Sequence, residues 1–308
     1  MSIDALRQQI ISFVGFSLPD HPVTYKTEDV RQEPGYTRIR IRYPGEAGDS
    51  IPAYLLLPDG QGSFPAVLVH HQHAGQRHLG KSEICGLTGD PLQAFGPALV
   101  RQGIAVLAPD SICFEDRRRN RSGMEPDGEA DFLQHFNEMC YRLVRGDTLM
   151  RKVLADSALG VSLLCAHPQI DAARLGMLGH SYGGNTVLFH AGLDERVRFA
   201  CSSGAACTYE HKMSHETGIE MAEAIPGFAA RFDIPDLVTC FAPRPILLVS
   251  SSDDKYSRDA EGIAASARQA CSASGTPERI QHLRYEGGHS LTPERFKDIV
   301  DWLVTQAG

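Results

Sequence analysis

The first apolar pattern in the chain is helical: Leu6, Ile10 and Ile11 share one face of a helix expected over the first 20 or so residues, ending before Pro19. Two strand-like stretches follow. TRIRIRYP, from Thr37, alternates apolar and basic side chains, and IPAYLLLP begins at Ile51 after the turn-rich GEAGDS. An antiparallel hairpin is the natural reading of that pair.

From Phe64 onward the rhythm changes to short apolar runs alternating with helix-length segments. The strands read as PAVLVHH, GIAVLAPD, RLGMLGH, RFACSSG, RPILLVSSS and QHLRYEG. Helices are expected near 91–102, 129–144, 147–166, 184–191, 257–272 and 293–306. Within 147–166, Met150, Leu154, Ala158, Val161 and Leu164 keep one stripe despite Gly160. The last helix opens on Thr292 as N-cap with Pro293 in its first turn, and buries Phe296, Ile299, Val300 and Leu303. Such alternation is the mark of an α/β fold, a mostly parallel central sheet with helices on both faces, carrying an N-terminal helix plus antiparallel hairpin. No repeat or linker divides the chain. It therefore reads as a single domain over 1–308, with 1–50 an N-terminal extension of helix and hairpin. The stretch 203–240 is longer than a simple crossover and is expected to carry small insertions over the pocket.

Composition narrows the partners. Hydrophobic content of 42% and charged content of 22% fit an ordinary soluble globular protein. A net charge of -8 and a pI of about 5.9 offer no general attraction to nucleic acid or to an anionic membrane. The one basic run, Arg117, Arg118, Arg119 and Arg121, reads as a solvated loop in preference to an anion-binding patch. The opening MSIDALRQQIISFVGF lacks a cationic start and a small-residue cleavage site, so no signal peptide is expected. No apolar run approaches the roughly 20 residues that span a bilayer. Eight cysteines without CxxC pairs, several in apolar surroundings, suggest reduced thiols and a cytoplasmic location.

The chemistry gathers at LGMLGHSYGG, where an apolar strand runs through Gly179-His180-Ser181-Tyr182-Gly183 into a helix-compatible segment. This is G-x-S-x-G in its strand-turn-helix context. The turn lifts a serine hydroxyl clear of the sheet in a strained conformation, and the flanking glycines avoid collision with neighbouring backbone. A serine hydroxyl is a poor nucleophile at neutral pH, so the reading requires a histidine base and a carboxylate to orient it. These should follow in the order acid, then histidine, on loops past later strands. EGGHSL presents His289, whereas His282 lies inside the preceding strand. RPILLVSSS leads into Asp253 and Asp254. Asp254 is favoured as the acid, leaving Asp253 to cap or order the loop.

LVHHQHAGQRH brings His70, His71, His73 and His78 into one stretch and raises the question of a metal. Adjacent histidines in a strand point to opposite faces, and no recognised ligand spacing follows. No metal and no cofactor are expected.

With these residues in view, the chain resembles the α/β-hydrolase superfamily, and more narrowly its dienelactone-hydrolase-like and bacterial acetyl-xylan-esterase-like branch. The resemblance covers roughly residues 50–308 and rests on GHSYGG at 179–184, VLAPDSICFEDRR at 106–118, IPGFAARFDIPDLVTCFAPRPILLVSSSDD at 225–254 and GGH at 287–289. It implies an α/β-hydrolase fold with Ser181, Asp254 and His289 as the catalytic triad. It also implies an oxyanion hole built from backbone amides, one from Tyr182 and one from the loop after PAVLVHH, where the family's turn glycine falls on Gly75 and the donor on His73, with Gln72 the alternative. The histidine loop would then contribute backbone, its imidazoles being secondary, so that His73→Ala would cost little. Gln72, Phe114 and Arg117 are the implied substrate-pocket positions. Dienelactone hydrolases use a cysteine nucleophile where this chain has Ser181, and the branch's FGER reads here as Phe114-Glu115-Asp116-Arg117. The expected activity is hydrolysis of a small-molecule carboxylic ester. Two other readings stand beside it: a serine peptidase of the prolyl-oligopeptidase kind, although only some 50 residues precede the core where those enzymes usually carry a propeller, and a non-catalytic binding protein on a hydrolase scaffold.

Overall fold

A computed structural model describes every residue of the chain except 121–122 and 273–274. Among the described residues, nine strands form one sheet: β1 (Lys26–Glu33), β2 (Tyr36–Pro44), β3 (Ser50–Pro58), β4 (Phe64–His70), β5 (Ala105–Pro109), β6 (Ile170–His180), β7 (Phe199–Ser203), β8 (Ile246–Ser251) and β9 (Ile280–Tyr285). Their spatial order is β1-β2-β3-β5-β4-β6-β7-β8-β9. The pairs β1–β2, β2–β3 and β3–β5 are antiparallel, and every later pair is parallel. The helices are α1 (Ile3–Val14), α2 (Lys81–Ile84), α3 (Phe95–Val100), α4 (Gly128–Val144), α5 (Leu149–Ala166), α6 (Tyr182–Ala191), α7 (Tyr209–Ser214), α8 (Ile234–Phe241), α9 (Ala260–Cys271) and α10 (Pro293–Ala307).

The short apolar runs become strands buried on both faces, because helices cover the sheet from each side. Ala66 and Leu68 of β4 join the larger core cluster with side chains of α1, α5, α6, α8 and α9, while Val67 and Val69 turn to the opposite cluster with α3 and α10. The predicted stripe of α5 is buried throughout. Gly160 lies where this helix presses on the sheet, since a Cβ there would stand 3.4 Å from both Leu68 and the Tyr43 hydroxyl. Thr292 caps α10, its hydroxyl accepting from the Arg295 amide at 3.3 Å.

Two departures from the expected elements have physical reasons. β1, KTEDVRQE, has no apolar alternation because it lies at the sheet's edge with most of its side chains in solvent, so nothing in its pattern marks it as a strand. α7 and α8 lie inside 203–240, where α8 opens with a reciprocal capping box between Asp233 and Asp236. No helix among the described residues is long and apolar enough to cross a membrane.

Candidate active site

Loops leaving the carboxyl ends of β4, β6, β8 and β9 meet on one edge of the sheet, where open α/β sheets usually present their ligand sites. β6 passes into α6 through a single residue, Ser181, held at φ 56° and ψ -119°. An L residue takes that conformation only at a cost of about 1–3 kcal/mol, which the surroundings must offset. The Ser181 amide donates to the Ser203 carbonyl at the end of β7 at 2.8 Å. A Cβ at Gly179 would run into the Gly183 backbone, and one at Gly183 into the His70 carbonyl, so both positions require glycine for the turn to close.

Three side chains distant in sequence converge here. The Ser181 Oγ lies 2.8 Å from His289 Nε2, and His289 Nδ1 lies 3.0 Å from Asp254 Oδ1. That order makes Nδ1 the donor to the carboxylate and leaves Nε2 to accept the serine proton. Asp254 is buried, and it also accepts from the Tyr256 amide at 3.0 Å and the Ser257 hydroxyl at 2.6 Å. Burial would raise its pKa, but the hydrogen bond from His289 and the other donors outweigh that and hold it below the usual value. Asp253 is exposed, and its amide donates to the Gly287 carbonyl, so its backbone orders the turn while its carboxylate faces solvent. The His289 loop is clamped from α10 by buried Arg295, which donates to the carbonyls of Gly288, Ser290 and Glu286. His180, whose ring centroid lies 4.9 Å from that of His289, is pushed down to about 3 by burial and by His289 itself, so it remains neutral beside that ring.

Among the described residues, the four histidines at the end of β4 and in the loop after it form no group of three with the spacing of metal ligands. His70 bonds the Ser157 hydroxyl at 2.9 Å. His71 meets the Gln72 carbonyl through Nδ1 at 2.7 Å and accepts from the Ser111 amide through Nε2 at 3.1 Å; burial pushes it down to about 4. His73 accepts from the Gly75 amide through Nδ1 at 2.8 Å, so the proton sits on Nε2, which donates to Glu220 Oε2 at 2.6 Å. Burial of Glu220 would raise its carboxyl, yet the hydrogen bond from His73 outweighs that and brings it down to about 2. The imidazole of His73 therefore ties its loop to the segment after α7, a role the sequence reading did not give it. Neither the His73 nor the Tyr182 backbone N–H meets a protein acceptor among the described residues. One carboxylate group suits a cation by its spacing, Asp110, Glu115 and Asp116. The buried Lys81 ammonium already stands among them, 2.8 Å from Asp110 Oδ2 and from Asp116 Oδ2 and in contact with Glu115.

A cavity of about 330 Å³ opens beside Ser181 and His289. Its walls include His73, Arg77, Asn185, Lys212, Ile219, Glu220, Met221, Glu223 and Tyr256. Many of these come from 203–240, but Glu220 is far in sequence from its partner His73, and no local motif marks it. The three expected pocket positions are not on this wall. Gln72 is buried toward Glu83, 3.4 Å from its carboxylate. Phe114 is wholly buried among the rings of His71, His135 and Tyr182. The Arg117 side chain is buried between Asp49 and Asp156 at 2.5 and 2.8 Å. The reading of the basic run as a solvated loop is corrected in the same way. Arg118 is buried on Asp131, and only Arg119, paired with Glu138, stays largely in solvent; Arg121 lies outside the described residues. Acidic partners in neighbouring elements, invisible to a local charge count, draw these arginines inward.

The chain is similar along nearly its whole length to YtaP of Bacillus subtilis (strain 168), a protein assigned as a hydrolase: 25% identity over 310 residues, covering 96% of this chain and 98% of the relative. Solved structures share the fold. One from Bacteroides fragilis NCTC 9343, assigned as an acetyl xylan esterase, superposes with a TM-score of 0.76 at 18% identity, covering 92% of this chain and 74% of its own. A glucuronoyl esterase from Solibacter usitatus gives 0.69 at 15% identity, covering 98% and 92%. The model of the prolyl oligopeptidase family matches residues 125–308, more than half of the chain, and with it the α6 elbow, the Asp254 turn and the His289 loop. On the strength of that match the chain, built on the α/β-hydrolase fold, belongs to the prolyl oligopeptidase family.

Proposed function

We propose that the protein is a serine hydrolase that cleaves a carboxylic ester through an acyl-serine intermediate, with Ser181, His289 and Asp254 as its triad. The observation that carries the reading is the unbroken hydrogen-bonded chain from Ser181 Oγ through His289 to buried Asp254, opening on a cavity at the serine. Ser181 Oγ attacks the ester carbonyl as His289 Nε2 takes its proton. The resulting imidazolium passes the proton to the leaving alcohol, while Asp254 keeps Nδ1–H oriented and stabilises the charge. The Tyr182 and His73 amides, unengaged by protein acceptors among the described residues, meet the developing oxyanion, a contribution of about 3–4 kcal/mol per donor in comparable sites. Water then enters by the same base route and frees the acid. No step calls for a metal or cofactor.

Family membership favours a second reading, cleavage of a peptide bond. Ester and peptide cleavage can both run on a serine-histidine-aspartate triad, so the leaving group is the discriminating variable. The experiment is paired: a 4-nitrophenyl acetate assay and a proline-containing peptide amide of matched size, with fluorophosphonate labelling of wild type and Ser181→Ala. The ester reading expects kcat/KM for the ester to exceed that for the amide by at least 100-fold, with turnover and labelling both lost in Ser181→Ala. Retained labelling in that variant rejects Ser181 as nucleophile, and preferential amide cleavage rejects the ester reading.

A further inference from the structure

Alongside the catalytic cavity, on the other side of the 219–223 segment, runs a groove of about 680 Å³. Its lining is apolar almost throughout. Phe132, Phe136 and Met139 come from α4, Met213 from α7, and Ile219 and Met221 from the intervening wall. The one carboxylate on it, Glu223, is neutralised by the buried Lys212 ammonium at 2.7 Å to both oxygens. Phe132, Phe136, Met213 and Ile219 are between 39% and 58% exposed, a concentration of uncovered apolar surface that a soluble chain seldom keeps without use.

Two features join this groove to the cavity. Ile219, Met221 and Glu223 line both spaces, so they form a common wall. Arg77, on the cavity side, places its guanidinium 5.4 Å from the ring centroid of Phe132, on the groove side, and the Phe132 and Phe136 rings stack at 6.1 Å. The two spaces thus adjoin, and Ile219, partly exposed and lining both, is the apolar edge over which an arm leaving the reacting serine would pass into the groove.

We infer that this groove is a substrate subsite that takes an extended apolar arm, aliphatic or aryl, of the ester whose carbonyl is held at Ser181. The inference rests on the ester-hydrolase reading and adds the class of substrate. The arm belongs either to the acyl chain or to the alcohol. Seated on one wall, each added methylene is half buried and raises kcat/KM roughly twofold, about half of the full hydrophobic transfer on a logarithmic scale.

The test measures kcat/KM on two series, 4-nitrophenyl esters from acetate to decanoate and acetates of primary alcohols from ethanol to decanol. The readout is the slope of log kcat/KM against chain length. A positive slope in the first series assigns the groove to the acyl side, and in the second to the alcohol side. Phe136→Asp and Met213→Asp, each placing a charge in the groove, are expected to flatten that slope at least twofold. Val144→Asp, on α4 but outside the groove lining, is expected to leave it in place. Circular dichroism melting of each variant separates loss of fold from loss of the subsite. Flat slopes in both series, with acetate turnover and Ser181 labelling intact, overturn the subsite alone. Absence of turnover and of labelling overturns the ester reading with it. A dimer by sedimentation that Phe136→Asp dissociates, with the slope unchanged, overturns the inference in favour of a second copy of the chain.

Discussion

His73→Ala is the sharpest test of how the site is held. From sequence, the histidine loop supplies backbone alone and the substitution should cost little. The structure argues otherwise. The imidazole makes two bonds: it accepts from the Gly75 amide at 2.8 Å and donates to the Glu220 carboxylate at 2.6 Å. Between them sits Ala74 at φ 41°, a left-handed conformation in a residue with a Cβ, which costs about 1–3 kcal/mol. The bond to a charged carboxylate is worth about 1.5–3 kcal/mol and the neutral one about 1 kcal/mol. Losing both removes roughly 3 kcal/mol from a strained loop that presents the proposed oxyanion amide. Loss of one such donor outright lowers kcat by about 100- to 1,000-fold, so partial displacement should lower it by about 10- to 100-fold, with KM changed less than threefold. The assay is steady-state hydrolysis of 4-nitrophenyl acetate together with the rate of fluorophosphonate labelling, which reports the serine without relying on turnover. Glu220→Ala should reproduce the part of the loss that belongs to the shared bond, Glu220→Gln should recover part of that by keeping an acceptor, and the double variant should cost less than the sum of the two single ones, because the His73–Glu220 bond is lost only once. A wild-type kcat in His73→Ala, or strict additivity in the double variant, would refute the reasoning.

Other outcomes follow from the same contacts. Asp254→Asn should lower kcat by about 10,000-fold through loss of imidazole orientation, whereas exposed Asp253→Asn should change it less than twofold, both read by kcat on the same ester. Lys81→Met leaves the buried carboxylates of Asp110 and Glu115 without their cation and should cost about 3–5 kcal/mol, measured as a fall in urea midpoint at constant m-value. Glu220 has a folded pKa of about 2, below its ordinary 4.5, so its contribution to stability is present above pH 4.5 and fades as pH falls toward 2. The stability gap between wild type and Glu220→Gln should therefore narrow over that window in urea titrations. A gap that stays constant would mean that the carboxylate is not held by its charge.

The sequence by itself determined the parallel half of the sheet. Within PAVLVHH and RPILLVSSS the segments AVLV and ILLV are apolar without a break and buried throughout, as a doubly covered strand requires, so that part of the burial is written locally. Gly179, Ser181 and Gly183 were legible for a similar reason: a turn that tight demands glycines at fixed offsets from the residue it strains. Asp254 and His289 were legible through their places after strands. What the tertiary structure alone decided is whatever depends on contact across long separations. β1 is a strand because β2 offers it an edge, with no apolar pattern of its own. Arg117 and Arg118 left the expected solvent because Asp49, Asp156 and Asp131 reach them from other elements. Glu220, 147 residues from His73, turns a bystander imidazole into the tether of its loop. Local periodicity encodes which face is buried, but the pairing of charges and the shape of a cavity arise only when distant segments meet.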